Sequence, residues 1–251
     1  MDMLRLGKTE MMVSRLGFGG IPIQRVSESE AVAVIRRCLD LGINYIDTAN
    51  SYTTSEERIG KAISGRRQNV FLATKSGAKT HKSLESHLKL SLEHFGVEYI
   101  DLYQFHGIDD LKTLDIILHP DNGLISIVEE AKKAGVIKHI GITSHSMKLA
   151  KEAVKSDRFE TIMFPLNFIT SEAADELLPL AREHDVGFIA MKPLAGGKID
   201  NIPLAFKYLF QFPDIVPIPG IEKIEEIEEI LQVLEGRQTP KVEKWPIDDG
   251  S

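Results

Sequence analysis

The sequence predicts a (β/α)8 barrel. Eight short β-prone runs recur at intervals of about 30 residues, amphipathic helical stretches fill the gaps, and no G-x-G-x-x-G turn follows the first run. Alternation of strand and helix implies a parallel sheet with right-handed crossovers. Eight such units in 251 residues fit a barrel. A doubly wound sheet has fewer strands and often a Gly-rich turn after its first.

Ahead of the first unit, Leu4–Thr9 and Met12-Val13-Ser14 read as a β-hairpin (4–14) placed to plug the N-terminal end of the barrel. The strands begin near Leu16, Ile43, Val70, Tyr99, Ile137, Thr161, Gly187 and Ile215. Between the first two, Ser27 is a candidate N-cap, Ala31, Val34, Ile35, Cys38 and Leu39 recur at helical steps, and Gly42 stops the helix. Leu84, Leu88 and Leu92 repeat the pattern, as do Ile125, Val128 and Ala131 before Gly135. The last helix carries the stripe Ile221, Ile224, Ile227, Ile230, Leu231 and Leu234, with glutamates outside it. No linker divides the chain, so residues 1–251 are expected to form one domain, with the barrel over about 16–235 and a tail over 236–251.

Lys and Arg number 30 against 37 Asp and Glu, a net charge of −7 that argues against nucleic acid or anionic membrane as a partner. The single cysteine, Cys38, excludes an internal disulfide framework, a cysteine zinc site and an iron–sulfur cluster within one chain. No apolar run approaches the ~18 residues of a membrane span, and Met1-Asp2-Met3-Leu4-Arg5 does not open a signal peptide. A cytoplasmic protein in a reducing compartment is expected.

Barrel chemistry sits at the C-terminal ends of the strands. The second strand ends in Asp47, followed by Tyr52; the third ends in Lys75 and the fourth in His106. Each has a structural alternative: Asp47 as a helix cap, Tyr52 as a rim aromatic, Lys75 as a solvated lysine, His106 as a hydrogen-bonded core histidine. Four such residues at three consecutive strand ends favour a functional set. They suit proton transfer to a carbonyl oxygen, with Tyr52 as donor, Lys75 lowering its pKa, Asp47 anchoring Lys75, and His106 orienting the carbonyl. No side chain supplies a hydride, so a reduction requires a dihydronicotinamide.

At these residues the sequence resembles the aldo-keto reductase family. The matching pieces are Gly42–Ala49 with Tyr52 and Ser55–Gly60, Phe71–Lys75, Asp101–His106, Ile140–Ser144, Pro165-Leu166-Asn167, Pro193–Gly197 and Ile218-Pro219-Gly220. The resemblance implies the tetrad Asp47, Tyr52, Lys75 and His106 and an NAD(H) or NADP(H) cofactor extended across the barrel mouth without a Rossmann domain. It implies cofactor contacts at Gly20, Thr143, Ser144, Asn167, Met191, Pro193, Leu194, Gly196, Gly197, Gly220, Lys223, Glu228 and Glu229. Among these, Thr143, Ser144 and Asn167 match the carboxamide positions, Leu194, Gly196 and Gly197 the pyrophosphate loop, and 220–229 the adenosine end. The substrate is expected to be a small-molecule carbonyl compound, with no metal involved.

Departures accompany the resemblance. Thr143-Ser144 stands where many relatives have Ser-Asn, Met163 where many have Gln, and Met191 where an aromatic often stacks on the nicotinamide. Glu222 and Glu226 occupy places where NADP-preferring relatives carry basic residues, which leaves the choice of dinucleotide open. The Met191–Gly197 sequence resembles a bacterial and archaeal branch that often bears a ferredoxin-like tail, for which this chain lacks the cysteines. The short tail also leaves little chain for a substrate lid, so an open site is expected. Two other readings stand beside the reductase: a cofactor-sensing regulatory barrel with little turnover, and, less favoured, a metal-dependent hydrolase.

Overall fold

The computed structural model describes residues 1–237. Trp245 and nearly all of the 236–251 tail, with the expectations about a substrate lid drawn from it, lie outside the described residues. The elements run β1 (Met3–Arg5), β2 (Met12–Ser14), β3 (Phe18–Gly19), α1 (Glu28–Asp40), β4 (Tyr45–Asp47), α2 (Ser55–Ile63), β5 (Phe71–Ser76), α3 (His81–Phe95) and β6 (Ile100–Phe105). They continue as α4 (Leu111–Leu118), α5 (Ile125–Lys133), β7 (Ile137–Thr143), α6 (Met147–Lys155), β8 (Thr161–Pro165), α7 (Glu172–Glu176), α8 (Leu178–Glu183), β9 (Gly187–Met191), α9 (Ile202–Leu209), β10 (Ile215–Pro217) and α10 (Ile224–Leu234).

β3 through β10 form an eight-stranded parallel sheet in sequence order. Its two edges meet: Gly19 bridges Gly220, the Gly17 amide donates to the Pro217 carbonyl at 2.9 Å, and the Gly19 amide to Pro219 at 2.8 Å. This is the (β/α)8 barrel the alternation predicts. Closure leaves no unpaired edge, which a parallel sheet of this size would otherwise expose.

Local signals explain the helix boundaries. Ser27 caps α1 in a capping box with Glu30, and Gly42, at φ 90°, follows it in the left-handed region. Ala31, Val34, Ile35 and Cys38 are the buried residues of α1, and Ile227, Ile230 and Leu231 those of α10, so the periodic stripes face the barrel. Two connections are richer than one helix per unit. Between β6 and β7, the Pro120–Gly123 stretch separates α4 from α5; between β8 and β9, Pro179 opens α8 directly after α7. Proline ends one helix or starts the next because it lacks an amide hydrogen and fixes φ.

The interior splits into two apolar clusters. The larger one fills the space between strands and helices. The smaller one lies on the barrel axis, where Leu4, Leu6, Met11 and Val13 from the hairpin pack against Tyr45, Ala73, Leu102, Met163, Ile189, Val216 and Ile218. The hairpin is therefore the floor of the barrel. Its close approach depends on glycine: a Cβ at Gly7 would lie 2.2 Å from the Gly187 nitrogen, and one at Gly187 would lie 2.7 Å from Leu6.

Leu6, fully buried in this plug, is expected to lose about 2–5 kcal/mol of stability when truncated to alanine. Met3→Ala and Met12→Ala, at 45% and 49% exposure in the same hairpin, are expected to cost less than about 0.5 kcal/mol. Urea unfolding of the three variants checks the assignment of the hairpin as a plug.

Candidate active site

Parallel register carries three consecutive strand ends to one rim. Asp47 closes β4 opposite Ala73, Lys75 sits near the end of β5 opposite Gln104, and His106 follows β6, its amide donating to the Ser76 carbonyl at 2.9 Å. Tyr52 lies in the turn between β4 and α2. Hydrogen bonds hold that turn: the Tyr52 amide donates to Ala49 at 2.9 Å, the Ser55 amide to Tyr52 at 2.7 Å, and the Ser55 hydroxyl to the Gly20 carbonyl at 2.8 Å.

The four side chains meet. The Lys75 ammonium, 3% exposed, donates to Asp47 Oδ1 and, at 2.6 Å, to the Thr48 carbonyl. Gln104 Nε2 donates to Asp47 Oδ2 at 2.9 Å. The Tyr52 ring stands edge-on to the His106 ring at 5.8 Å, and Lys75 Nζ is 5.4 Å from the centre of the Tyr52 ring.

Burial dominates the electrostatics here. It raises the Asp47 carboxyl above its ordinary range, while Lys75 and Gln104 pull it back down. It pushes the His106 imidazole down to about 4, with Lys75 and His145 adding to the effect, so His106 is neutral at neutral pH. The Tyr52 phenol is raised by burial and further by Asp47. This corrects the expectation that Lys75 lowers the phenol: the ammonium is paired with Asp47, and what reaches Tyr52 is burial plus the carboxylate.

These residues line a cavity of about 600 Å³ at the barrel mouth. Gly20, Thr143, Met191, Pro193, Leu194, Gly196, Gly197 and Gly220 line it as well. Positive φ at Lys192, Ala195, Gly196 and Gly197 (55°, 49°, 70° and 90°) curls one wall into a loop whose turned backbone suits an anion. A Cβ at Gly196 or Gly197 would meet nothing within 4 Å, so that wall borders open space. A mouth with a polar strand-end cluster and an anion-suited loop fits a nicotinamide dinucleotide.

Five of the expected cofactor residues lie outside the lining. Ser144 is buried, and its hydroxyl donates to Asp109 at 3.0 Å. Asn167 braces the loop base, its amide donating to the Lys192 carbonyl at 3.0 Å while its Oδ1 accepts from Ile169 and Thr170. Lys223 is the exposed N-cap residue of α10, Glu228 pairs with Arg37 at 2.7 Å, and Glu229 sits half-buried on α10. Glu222 and Glu226 do line the cavity. Glu226 accepts from the Glu222 and Lys223 amides at 2.9 and 3.1 Å, whereas Glu222 Oε2 has no hydrogen-bond partner and lies 4.0 Å from Arg25.

Sequence reasoning missed Arg25, His145 and Lys192 in the lining and Gln104 beneath it. Gln104 lies on β6 two residues before His106, so strand alternation carried a signal for it; His145 lies past the end of β7, where no such signal runs. Arg25 and Lys192 sit on loops, where no periodicity marks them. Among the described residues, no group of three or more His, Cys, Asp or Glu is placed to hold a metal ion, and no helix is long and apolar enough to cross a membrane.

Comparison with known proteins agrees with the barrel fold. The chain is 31% identical over 214 residues to the uncharacterized oxidoreductase YqkF of Bacillus subtilis, covering 80% of this chain and 67% of that protein. It is 29% identical over 219 residues to L-galactose dehydrogenase of Arabidopsis thaliana, covering 78% and 66%. The chain thus spans about two thirds of the length of these relatives. Among solved structures, the holo form of an aldo-keto reductase from Bacillus halodurans superposes with a TM-score of 0.81 at 28% identity, over 96% of this chain and 93% of that one. An aldo-keto reductase from Klebsiella pneumoniae, solved in complex with NADPH, shares the fold with a TM-score of 0.77 at 21% identity, over 97% of both chains. Residues 15–202 match the aldo/keto reductase family, and the chain belongs to that family.

Proposed function

We propose that the protein is a nicotinamide-dependent oxidoreductase that interconverts small aldehydes or ketones and their alcohols, with Asp47, Tyr52, Lys75 and His106 as its working residues. The observation that carries this reading is a buried Lys75–Asp47 ion pair beside the Tyr52 phenol and the His106 imidazole, all at one cavity.

A nicotinamide bound in the mouth supplies the hydride, which no side chain here offers. Tyr52 remains protonated at neutral pH and donates its proton to the carbonyl oxygen as that oxygen becomes an alkoxide, a stronger base than phenolate. His106, neutral, holds the same oxygen by a hydrogen bond. The Lys75 ammonium stands near the phenolate that results, and Asp47 keeps the ammonium in place. Gly196 and Gly197 leave room for phosphates, and Met163 and Met191 give the lining an adaptable apolar surface.

Tyr52→Phe is expected to lower kcat for carbonyl reduction by about 10²-fold or more while leaving dinucleotide affinity unchanged. Loss of dihydronicotinamide absorbance with a panel of aldehydes and ketones measures it. Full activity in the variant would overturn the role of Tyr52. Tight dinucleotide binding without turnover of any carbonyl compound by the native protein would instead support the regulatory reading.

With His106 titrating at about 4 and the Tyr52 phenol raised, neither changes protonation near neutrality. kcat/KM for reduction is therefore expected to be flat between about pH 6 and 8 and to fall only on the acid side, where Asp47 and His106 gain protons. A limb near the ordinary histidine value of about 6.5 in the pH profile would contradict this.

Glu222, in the lining and held only by a 4.0 Å contact to the exposed Arg25, opposes a dianionic 2′-phosphate. One such contact costs about 1 kcal/mol, roughly fivefold in affinity. Glu222→Gln is expected to tighten NADPH by about that factor and to leave NADH unchanged, as measured by fluorescence titration with each.

A further inference from the structure

Gln104 is the side chain at this site that the tetrad does not account for. It is fully buried on the inner face of β6, in a barrel whose axis is otherwise filled by Ala73, Leu102, Met163, Ile189 and Val216. A buried amide is costly unless its polar atoms are matched. Here, among the described residues, Oε1 has no hydrogen-bond partner, and Nε2 donates to Asp47 Oδ2. Gly141 lies opposite Gln104 on the neighbouring strand; a Cβ there would meet Thr161 Oγ1 and come within 3.0 Å of Gln104 Cγ, so its glycine serves both neighbours.

We propose that Gln104 is a positioning residue whose amide fixes the second oxygen of Asp47, so that the carboxylate turns its first oxygen to the Lys75 ammonium. The inference deepens the proposed reductase mechanism and rests on it for the role of Lys75. The amide orientation follows from chemistry, since an ionised carboxylate only accepts hydrogen bonds and only the NH2 side of Gln104 can serve it.

Burial alone drives Asp47 towards its neutral acid form, and two groups resist: Lys75 and Gln104. The other titratable groups around Asp47 do not help. Tyr52 from the turn before α2 and Tyr45 from the same strand are both neutral, and neutral His106 lies beyond Lys75. Removing the amide donor leaves the ammonium as the sole counterweight. The Asp47 titration then moves to higher pH, and below it the ammonium loses its anchor.

Gln104→Met keeps the shape, removes the donor and also removes the unmatched Oε1. The variant is expected to fold with a Tm close to that of the native protein. The carbonyl stretch of protonated Asp47, assigned by its loss in Asp47→Asn, should appear at a pH about one unit higher than in the native protein. The acid limb of kcat should move with it while KM for the dinucleotide stays the same. An unchanged Asp47 titration in Gln104→Met overturns the proposal, and so does a titration that moves without the kcat limb. Infrared titration needs no turnover, so failure of the reductase reading itself, with no carbonyl compound turned over, is told apart from failure of this one.

Should Gln104→Met not fold, Gln104→Glu provides the second test. A carboxyl buried beside Asp47 holds its proton at neutral pH and donates it to Oδ2, so kcat should be near native there and fall as the pH rises and that proton is lost. A kcat that follows the native profile on the alkaline side overturns the proposal.

Discussion

The ion pair between Lys75 and Asp47 is the interaction on which the rest of the site depends. Taking both charges out of water costs several kcal/mol per ion, and their attraction repays this only when the remaining polar atoms are also satisfied. Here they are: Lys75 also donates to the Thr48 carbonyl, and the second Asp47 oxygen accepts from Gln104. The arrangement needs β4, β5 and β6 to run parallel in a fixed register, because each strand contributes one member. A slip of one residue would turn Lys75 outward and leave Asp47 charged in an apolar barrel. The pair also sets the character of its neighbours. With the ammonium bound to Asp47, Tyr52 feels burial and a carboxylate more than it feels a cation, and it stays protonated.

Below this polar layer the barrel axis is apolar and closed. The hairpin residues Leu6 and Val13 are fully buried against the same inner cluster that contains Met163 and Ile189 beneath the mouth. Water therefore has no short route to the ion pair from the N-terminal end. The dry floor strengthens each electrostatic contact above it. Plug and candidate site are thus linked through packing along the barrel axis.

Much of this was legible in the sequence because strands and helices leave periodic traces. The eight runs, the Ser27 cap, the Gly42 stop and the stripe through Ile227, Ile230 and Leu231 are local patterns with local causes. The strand ends at Asp47, Lys75 and His106 followed from the same register. What escaped depended on relations between distant segments. Glu228, which the resemblance assigns to the cofactor, pairs with Arg37 on α1 in this structure. Ser144 serves Asp109, and Asn167 serves the Lys192 loop rather than the cavity. The direction of the Tyr52 shift was missed for a similar reason: a charge count sees a lysine near a phenol, but only the geometry shows that the lysine is already paired.

The two ends of the cavity differ in charge, and the difference bears on catalysis. At the reacting end the Lys75 and Asp47 charges cancel, while His106 and Tyr52 are neutral. A neutral carbonyl compound can enter without displacing a counterion, and the charge that develops on its oxygen is then the one unmatched charge in a region already desolvated. Hydrogen-bond donors fixed beforehand are worth most under those conditions, because they need not reorganise when the charge appears. Elsewhere in the lining stand Arg25, Lys192, Glu222 and Glu226, with Glu222 4.0 Å from Arg25. In the proposed reaction, discrimination among anionic or hydroxylated groups would fall to these charged residues, and proton transfer to Tyr52 and its neighbours. A single barrel mouth keeps the two tasks apart by distributing its charges unevenly.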